Sequence, residues 1–117
     1  MIKKSSLGKL KIYIEPSHKV KDEDASFFRK MFPKSAYRHI VMDAKRDKIM
    51  NASVYQTHSG YTRDGSVTNY QLEGDNSALA ICIELIDEKE KLERFFQKHH
   101  DILKDKIVIF KEVEIWR

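Results

Sequence analysis

Apolar and polar residues alternate along four segments of the chain, a period typical of β-strands with one buried face. The four predicted strands are residues 9–14, 52–57, 78–86 and 106–116. In the first, Leu10, Ile12 and Ile14 share one face. The third is apolar on both faces, which predicts that it is covered on both sides.

Apolar residues at helical spacing predict a first helix over residues 35–50. Its stripe includes Ile40 and Ala44, and Ser35 is a suitable N-cap. The preceding segment, residues 17–33, is charged and then aromatic. Its aromatic residues also recur at helical spacing, so we expect a short helix or an ordered flap there.

A second helix is predicted after the third strand. Asp87 has Glu90 three positions further on, the spacing of a capping box, which predicts that Asp87 caps the helix. The apolar stripe consists of Leu92, Phe95, Phe96, His99 and Leu103. This stripe predicts that the helix packs one face against the sheet.

The order of these elements is β-α-β-loop-β-α-β. Two right-handed βαβ crossovers then give the ferredoxin-like α+β fold, a four-stranded antiparallel sheet with both helices on one face. The length of 117 residues fits a single domain, residues 1–117. The other sheet face is predicted to carry Tyr13, Tyr55, Ala80, Cys82, Val108, Phe110 and Trp116. An apolar face of this size predicts burial in a homo-oligomer.

The segment between the second and third strands is unusually long. Residues 59–76 read SGYTRDGSVTNYQLEGDN, whereas connections longer than about 12–15 residues inside a domain are uncommon and often functional. Arg63-Asp64-Gly65 is a turn signal with alternating residues after it, so the loop is predicted to form a β-hairpin when ordered. Tyr61, Arg63 and Tyr70 are side chains of the types that anchor interfaces. The loop is therefore the predicted partner-binding element.

Composition narrows the class of protein. The net charge is +4. The lysines of the chain are interleaved with acidic residues and form no single basic face, and this distribution argues against nucleic-acid binding. No apolar run approaches the roughly 20 residues that cross a bilayer, and the N-terminus lacks a signal-peptide pattern, so a cytoplasmic location is expected. Cys82 is the only cysteine, which leaves no disulfide and no thiolate cluster.

Catalytic and metal-binding patterns are not evident. No serine, cysteine or carboxylate lies in a motif that would position it with a base, so no enzymatic activity is predicted. His99 and His100 are adjacent and would point about 100° apart on a helix. His18, His39 and His58 have no neighbouring ligand at a recognisable spacing. The expectation is therefore no metal site, with the histidines at the surface or at helix caps.

The chain resembles an uncharacterised family of PII-like proteins in three segments. These are the first strand, FPKSAYRHIVMDAKRDKIMNASVYQ (32–56) and LAICIELIDEKEKLERFF (79–96). That family is akin to the PII nitrogen regulators and to the CutA trimers. The resemblance implies a homotrimer in which residues 59–76 correspond to the T-loop that contacts target proteins. It also implies a cleft between subunits, near the base of that loop, for a small anionic effector such as an adenine nucleotide.

The resemblance implies two kinds of ligand-binding residue, namely residues at the loop base and residues that supply positive charge. They are Lys34, Arg38, His58, Gly60, Tyr61, Lys104 and Lys106. The partner of the loop would be a membrane transporter or another protein. PII proteins hold phosphates with a glycine-containing loop after the second helix, whereas residues 101–106 here contain no glycine. Nucleotide binding is therefore a hypothesis separate from the family resemblance. A CutA-like metal-binding trimer and a purely structural oligomer remain as alternatives.

Overall fold

A computed structural model describes residues 1–17, 35–61, 63–76 and 78–117. The short helix or flap predicted for residues 17–33 lies almost entirely outside the described residues, and so does Lys34. In chain order the described residues form β1 (Lys4–Ile14), α1 (Ala36–Arg46), β2 (Asn51–Gln56), β3 (Ser59–Gly60), β4 (Thr68–Asn69), β5 (Ile81–Asp87), α2 (Lys89–Lys98), α3 (His100–Leu103) and β6 (Ile107–Trp116). None of these helices is long and apolar enough to span a bilayer.

The four long strands form one sheet in the order β2-β5-β1-β6, and every neighbouring pair is antiparallel. This is the predicted ferredoxin-like arrangement, which the structure confirms. The helices pack on one face through a core of apolar side chains. The core consists of Leu10, Ile12, Ile14, Ala36, Ile40, Ala44, Ile81, Ile83, Leu85, Leu92, Phe95 and Leu103.

The ends of several elements differ from the prediction. β1 begins at Lys4, five residues before the predicted start, because its polar N-terminal half pairs with the C-terminal half of β6 as far as Lys4 opposite Trp116. α1 ends at Arg46, four residues early. The next turn places Lys48 at φ 59°, a left-handed conformation that the helix cannot continue through. β5 begins at Ile81 instead of residue 78.

The predicted assignment of β6 to the two sheet faces is wrong. Leu10 pairs with Phe110 and Ile12 with Val108, so Val108 and Phe110 share the face that the helices cover. Trp116 is an even number of positions after Phe110 in the same strand, so it also belongs to the face that the helices cover. Residues 107–110 read IVIF, which is apolar in both phases, so the pattern alone does not choose a face.

The sheet face away from the helices, called the open face below, still carries apolar side chains. Tyr13, Cys82 and Tyr55 lie on it as predicted, and the pairing of Lys11 with Ile109 places Ile109 there too. Tyr55 is 52% exposed and Ile109 is 40% exposed. Charged residues are interspersed, as in the 3.5 Å ion pair between Lys9 Nζ and Glu84 Oε1.

Asp87 does not cap α2 as predicted. It is the last residue of β5, and Glu88 occupies the N-cap position without a side-chain hydrogen bond. Asp87 instead accepts hydrogen bonds from the backbone N–H of Glu88 (2.7 Å) and of Met50 (2.9 Å), and it pairs with Lys91 at 3.1 Å. It thereby joins the end of β5 to the turn that follows α1.

Candidate functional site

The long loop is a hairpin, as the turn signal predicts. Ser59 pairs with Asn69 and Gly60 with Thr68 in a short antiparallel ladder. The chain reverses at Arg63 and Asp64, with Arg63 at φ 56°. The backbone N–H of Tyr70 donates to the carbonyl oxygen of His58 (2.5 Å), so the pairing extends one residue towards the sheet.

Both ends of the loop are fastened where it leaves the sheet. Thr57 donates from its backbone N–H (3.3 Å) and from its hydroxyl to the carbonyl oxygen of Ala80. The Asn76 side chain accepts from the backbone N–H of Gln71 and donates to the Gln71 carbonyl, each at 2.9 Å. The backbone N–H of Leu79 donates to the carbonyl oxygen of Asn76 (3.0 Å). The loop therefore has a defined base even though its tip projects from the sheet.

A cleft of about 330 Å³ lies at this base. Its walls come from three parts of the chain, namely the end of β1, the hairpin and the residues before β5. The lining residues are Tyr13, Glu15, Thr57, Ser59, Gly60, Tyr61, Gly65, Ser66, Thr68, Ala78, Leu79 and Ala80. Because the hairpin supplies half of this lining, a molecule bound in the cleft would contact the loop directly.

The cleft lies at one edge of the sheet, where β1 and β2 end and β5 and β6 begin. The pairing shows this arrangement, since Ile14 and Gln56 both lie opposite Ile81, and Tyr13 lies opposite Ile107. The segment that leads from α3 into β6, with Lys104 and Lys106, reaches the same edge.

The predicted ligand-binding residues are only partly brought together. Gly60 and Tyr61 line the cleft. The ring of His58 lies beside it against Tyr70, with 5.2 Å between ring centroids. Lys104 and Lys106 are outside the lining, and Lys106 Nζ lies 3.9 Å from Asp105 Oδ1.

Arg38 is also outside the lining of the cleft. Its Nε donates to the Tyr37 hydroxyl at 3.3 Å. This hydrogen bond raises the pKa of the Arg38 guanidinium, which lies on the exposed side of α1. Arg38 is thus available as a charge donor only to a ligand that extends beyond the cleft.

A second polar cluster, which was not predicted from the sequence, lies between α1 and α2. His99 Nε2 lies 3.0 Å from Asp43 Oδ2, and His39 Nε2 lies 3.7 Å from the same oxygen. The expectation that His39 has no ligand-type neighbour is wrong, because Asp43 lies one helical turn further on. His99 occupies a helix cap, as expected, but it is buried.

The carboxylate of Asp43 is held in its charged form. Burial works to raise the pKa of Asp43, but the hydrogen bond with His99 and the neighbouring His39 and Lys98 outweigh it and lower the pKa. Arg46 Nη1 also contacts Asp43 Oδ1 at 2.5 Å. The i,i+4 spacing of His39 and Asp43 was the available sequence signal, whereas His99 is 56 positions from Asp43 and only the fold brings it there.

A larger groove of about 710 Å³ lies on the helix side of the sheet, between α2 and β6. Apolar side chains such as Leu92, Phe96, Val108 and Phe110 line it, with charged residues of α2 at its rim. The charged residues of this groove all belong to α2, whereas the loop-base cleft and the histidine cluster bring together polar side chains from separate elements.

Comparison with known proteins establishes the family. Residues 7–115 match the DUF190 family, described as Uncharacterized ACR. A UPF0166 protein from Aquifex aeolicus (strain VF5) is 32% identical over 85 residues, which cover 69% of this chain and 77% of that protein. The chain therefore belongs to the DUF190 (UPF0166) family, in agreement with the resemblance to uncharacterised PII-like proteins.

Solved structures show that the fold is PII-like. CPII, a nitrogen regulatory PII-like protein from Thiomonas intermedia K12, bound to ADP, AMP and bicarbonate, superposes with a TM-score of 0.68 at 15% identity, covering 98% of this chain and 92% of CPII. The apo form of CPII gives a TM-score of 0.59 at 15% identity, covering 100% of this chain and 99% of CPII. At this identity the similarity concerns the fold.

Proposed function

We propose that this protein is a PII-like regulator that binds a small anionic effector at the loop base and contacts a protein partner through residues 59–76. The observation that carries the proposal is the shared wall: the hairpin lines half of the cleft. A ligand that fills the cleft contacts Ser59, Gly60 and Tyr61, so it changes the stability of the hairpin conformation. A loop coupled to a ligand in this way can select partners according to ligand occupancy.

An adenine nucleotide is the effector class that fits the site best. Tyr61 offers an aromatic face for a base. Gly60 has φ 151° and no atom within 4 Å of the position of a Cβ, so its backbone is open to close approach. Glu15 lines the cleft, which disfavours phosphates within it. The phosphates would therefore extend along the sheet edge towards Lys104 and Lys106, with Lys34, Arg38 and His58 as further donors.

A homotrimer is part of the proposal. The open face carries Tyr55 and Ile109, each about half exposed, between charged residues that can pair across a subunit interface. A neighbouring subunit would then complete the cleft. The ligands bound to CPII, namely ADP, AMP and bicarbonate, indicate which small molecules to test first.

The exposed side chains of the hairpin, from its base to its tip, are the proposed contact with the partner. Tyr61 is 67% exposed and Tyr70 is 40% exposed, and Arg63 lies at the turn between them. Aromatic and arginine side chains are enriched at the centres of protein interfaces. A membrane transporter or another protein is the proposed partner, and the regulator itself acts in the cytoplasm without enzymatic activity.

The proposal is tested by thermal unfolding of the purified protein with ADP, AMP, ATP, cyclic AMP, bicarbonate and guanine nucleotides. A ligand that binds only the folded state stabilises it by about 1.4 kcal/mol at a tenfold excess over Kd. We expect an adenine-specific rise in unfolding temperature that Lys104→Ala/Lys106→Ala removes.

The matched control is Lys3→Ala/Lys45→Ala, which removes two exposed lysines away from the cleft. This control should respond to ligand as the wild type does. Equal loss in both double variants would reject the assigned phosphate donors, because net charge alone would then explain binding. The absence of any rise with the whole panel would reject the proposed effector class.

A further inference from the structure

Three side chains of metal-ligand type converge between α1 and the end of α2. His39 and Asp43 lie one turn apart on α1, and His99 is the C-cap of α2. One ligand atom from each lies within 4.8 Å of the other two. We propose that His39, Asp43 and His99 bind one divalent transition-metal ion of the zinc type, a site separate from the loop-base cleft.

The orientation of His99 is the first argument. Its Nδ1 lies 3.0 Å from the carbonyl oxygen of Phe95, and its Nε2 lies 3.0 Å from Asp43 Oδ2. With the proton on Nδ1, the neutral ring presents a lone pair at Nε2, and a lone pair facing a carboxylate needs a cation between them. Histidines that ligate metals commonly donate their other ring N–H to a backbone carbonyl in this way.

The cation facing His99 could be a second ring proton or a metal ion, and His39 favours the metal ion. Its Nε2 lies 3.7 Å from the same oxygen of Asp43, and its ring centroid lies 5.6 Å from that of His99. A ring proton of His99 would engage only His99 and Asp43, whereas a metal ion would engage all three groups.

The distances from Asp43 Oδ2 to the two imidazole nitrogens are close to those of tetrahedral coordination. Ligands that lie 2.0–2.2 Å from a tetrahedral zinc ion are about 3.4 Å from one another. His99 Nε2 lies 3.0 Å from this oxygen and His39 Nε2 lies 3.7 Å from it, one on either side of that value. The two imidazole nitrogens lie within 4.8 Å of each other, so side-chain rotation would bring all three atoms around one ion. Two imidazoles and one carboxylate are ligands suited to Zn²⁺, whereas Ca²⁺ and Mg²⁺ prefer oxygen ligands alone.

Two cationic side chains also contact Asp43, and both leave room for the ion. Arg46 contacts Oδ1, which leaves Oδ2 for the metal. Lys98 Nζ lies 3.8 Å from Oδ2, but it is closer to Asp47, at 3.1 Å, and its side chain is half exposed. Lys98 can therefore stay with Asp47 while Oδ2 ligates the ion. The bound ion would tie α1 to the end of α2, and three protein ligands would leave a fourth position for water.

Metal binding to the chelator-treated full chain tests the proposal, with Zn²⁺ in equilibrium dialysis and Co²⁺ as a spectroscopic probe. We expect one ion per chain and the visible absorption of tetrahedral Co²⁺. Loss of an outer-shell partner commonly costs 10–100-fold in metal affinity, so His39→Ala should lower affinity by at least about tenfold. His39 is partly exposed, so this variant should keep its fold, which far-UV circular dichroism checks.

His100→Ala is the matched control, because it removes an exposed imidazole next to His99 in sequence. It should bind Zn²⁺ as tightly as the wild type. Equal affinity of His39→Ala and wild type would overturn the proposal, and so would the absence of one-to-one binding. In either case the cluster would be an ion pair between His99 and Asp43 that serves the packing of the helices.

Discussion

The ring of Phe110 lies over the backbone of Gly8 on the helix face of the sheet. A Cβ added at Gly8 would stand 2.4 Å from Cε2 of Phe110 and 3.1 Å from Cδ1 of Leu92. The glycine thus lets an aromatic side chain of the edge strand β6 cross to the middle of the sheet and meet α2. This contact fixes the face of β6 that points to the helices.

Gly8→Ala should therefore destabilise the fold. The added methyl group displaces the Phe110 ring, and overpacking of this kind costs about 1–3 kcal/mol. In a Phe110→Leu background the same substitution should cost less, because the shorter side chain leaves room. Urea unfolding of the wild type, the two single variants and the double variant measures the interaction energy between Gly8 and Phe110. For residues in contact this energy is about 0.5–3 kcal/mol. Additive effects would contradict the close approach.

Asp87 should contribute stability that disappears in acid. Burial works to raise its pKa, but the hydrogen bonds from Glu88 and Met50 and the charge of Lys91 outweigh it and hold the pKa below the ordinary 3.8. Because the folded pKa is lowered, the contribution is complete above the unfolded pKa and is lost as pH falls through the folded pKa.

Asp87→Asn should thus lower the free energy of unfolding by about 1–3 kcal/mol near neutral pH. The difference from the wild type should shrink as the pH falls below the ordinary pKa of an aspartate. Urea unfolding across a pH series measures it. A difference that stays constant over this range would show that the Asp87 carboxylate charge contributes nothing.

Asn76 should control the order of the loop base. Its side chain both accepts from and donates to the backbone of Gln71. Asn76→Ala removes both hydrogen bonds, so amide exchange and proteolysis within residues 59–76 should accelerate while the unfolding temperature changes little. Asn76→Asp keeps the acceptor and loses the donor, so it should give an intermediate rate. Unchanged exchange in both variants would contradict the role of this clamp.

The open face should mediate self-association. Ile109 lies on it and is 40% exposed, whereas Val54 is 42% exposed on the opposite face of the sheet. Ile109→Glu should dissociate the oligomer because it introduces a charge into the interface. Val54→Glu is the control and should leave it intact. Light scattering should give three times the chain mass of 13.8 kDa for the wild type and the control, and one chain mass for Ile109→Glu.

The sequence predicted the fold well where each element had a single clear apolar phase. Leu10, Ile12 and Ile14 were predicted to share one face of β1, and the structure places all three in the core. β6 is apolar in both phases, so its orientation depends on pairing with β1 and on the space above Gly8. These are long-range contacts that a local pattern does not contain.

The sequence predicted the location of the candidate site better than the side chains that form it. The length and composition of residues 59–76 indicated the loop, and Gly60 and Tyr61 do line its cleft. The end of β1 contributes Tyr13 and Glu15, which only the antiparallel topology brings to the loop base. The same holds for His99, which reaches Asp43 through the packing of α2 against α1.

Hydrogen–deuterium exchange of the wild-type protein, with and without ADP and bicarbonate, tests most directly whether a ligand in the cleft controls the loop. We predict slower exchange at Thr57 and at residues 59–61 and 78–80, which line the cleft, and also at the tip around Arg63 and Asp64. Protection of the cleft with no change at the tip would contradict the coupling. Unchanged exchange throughout would contradict the effector itself.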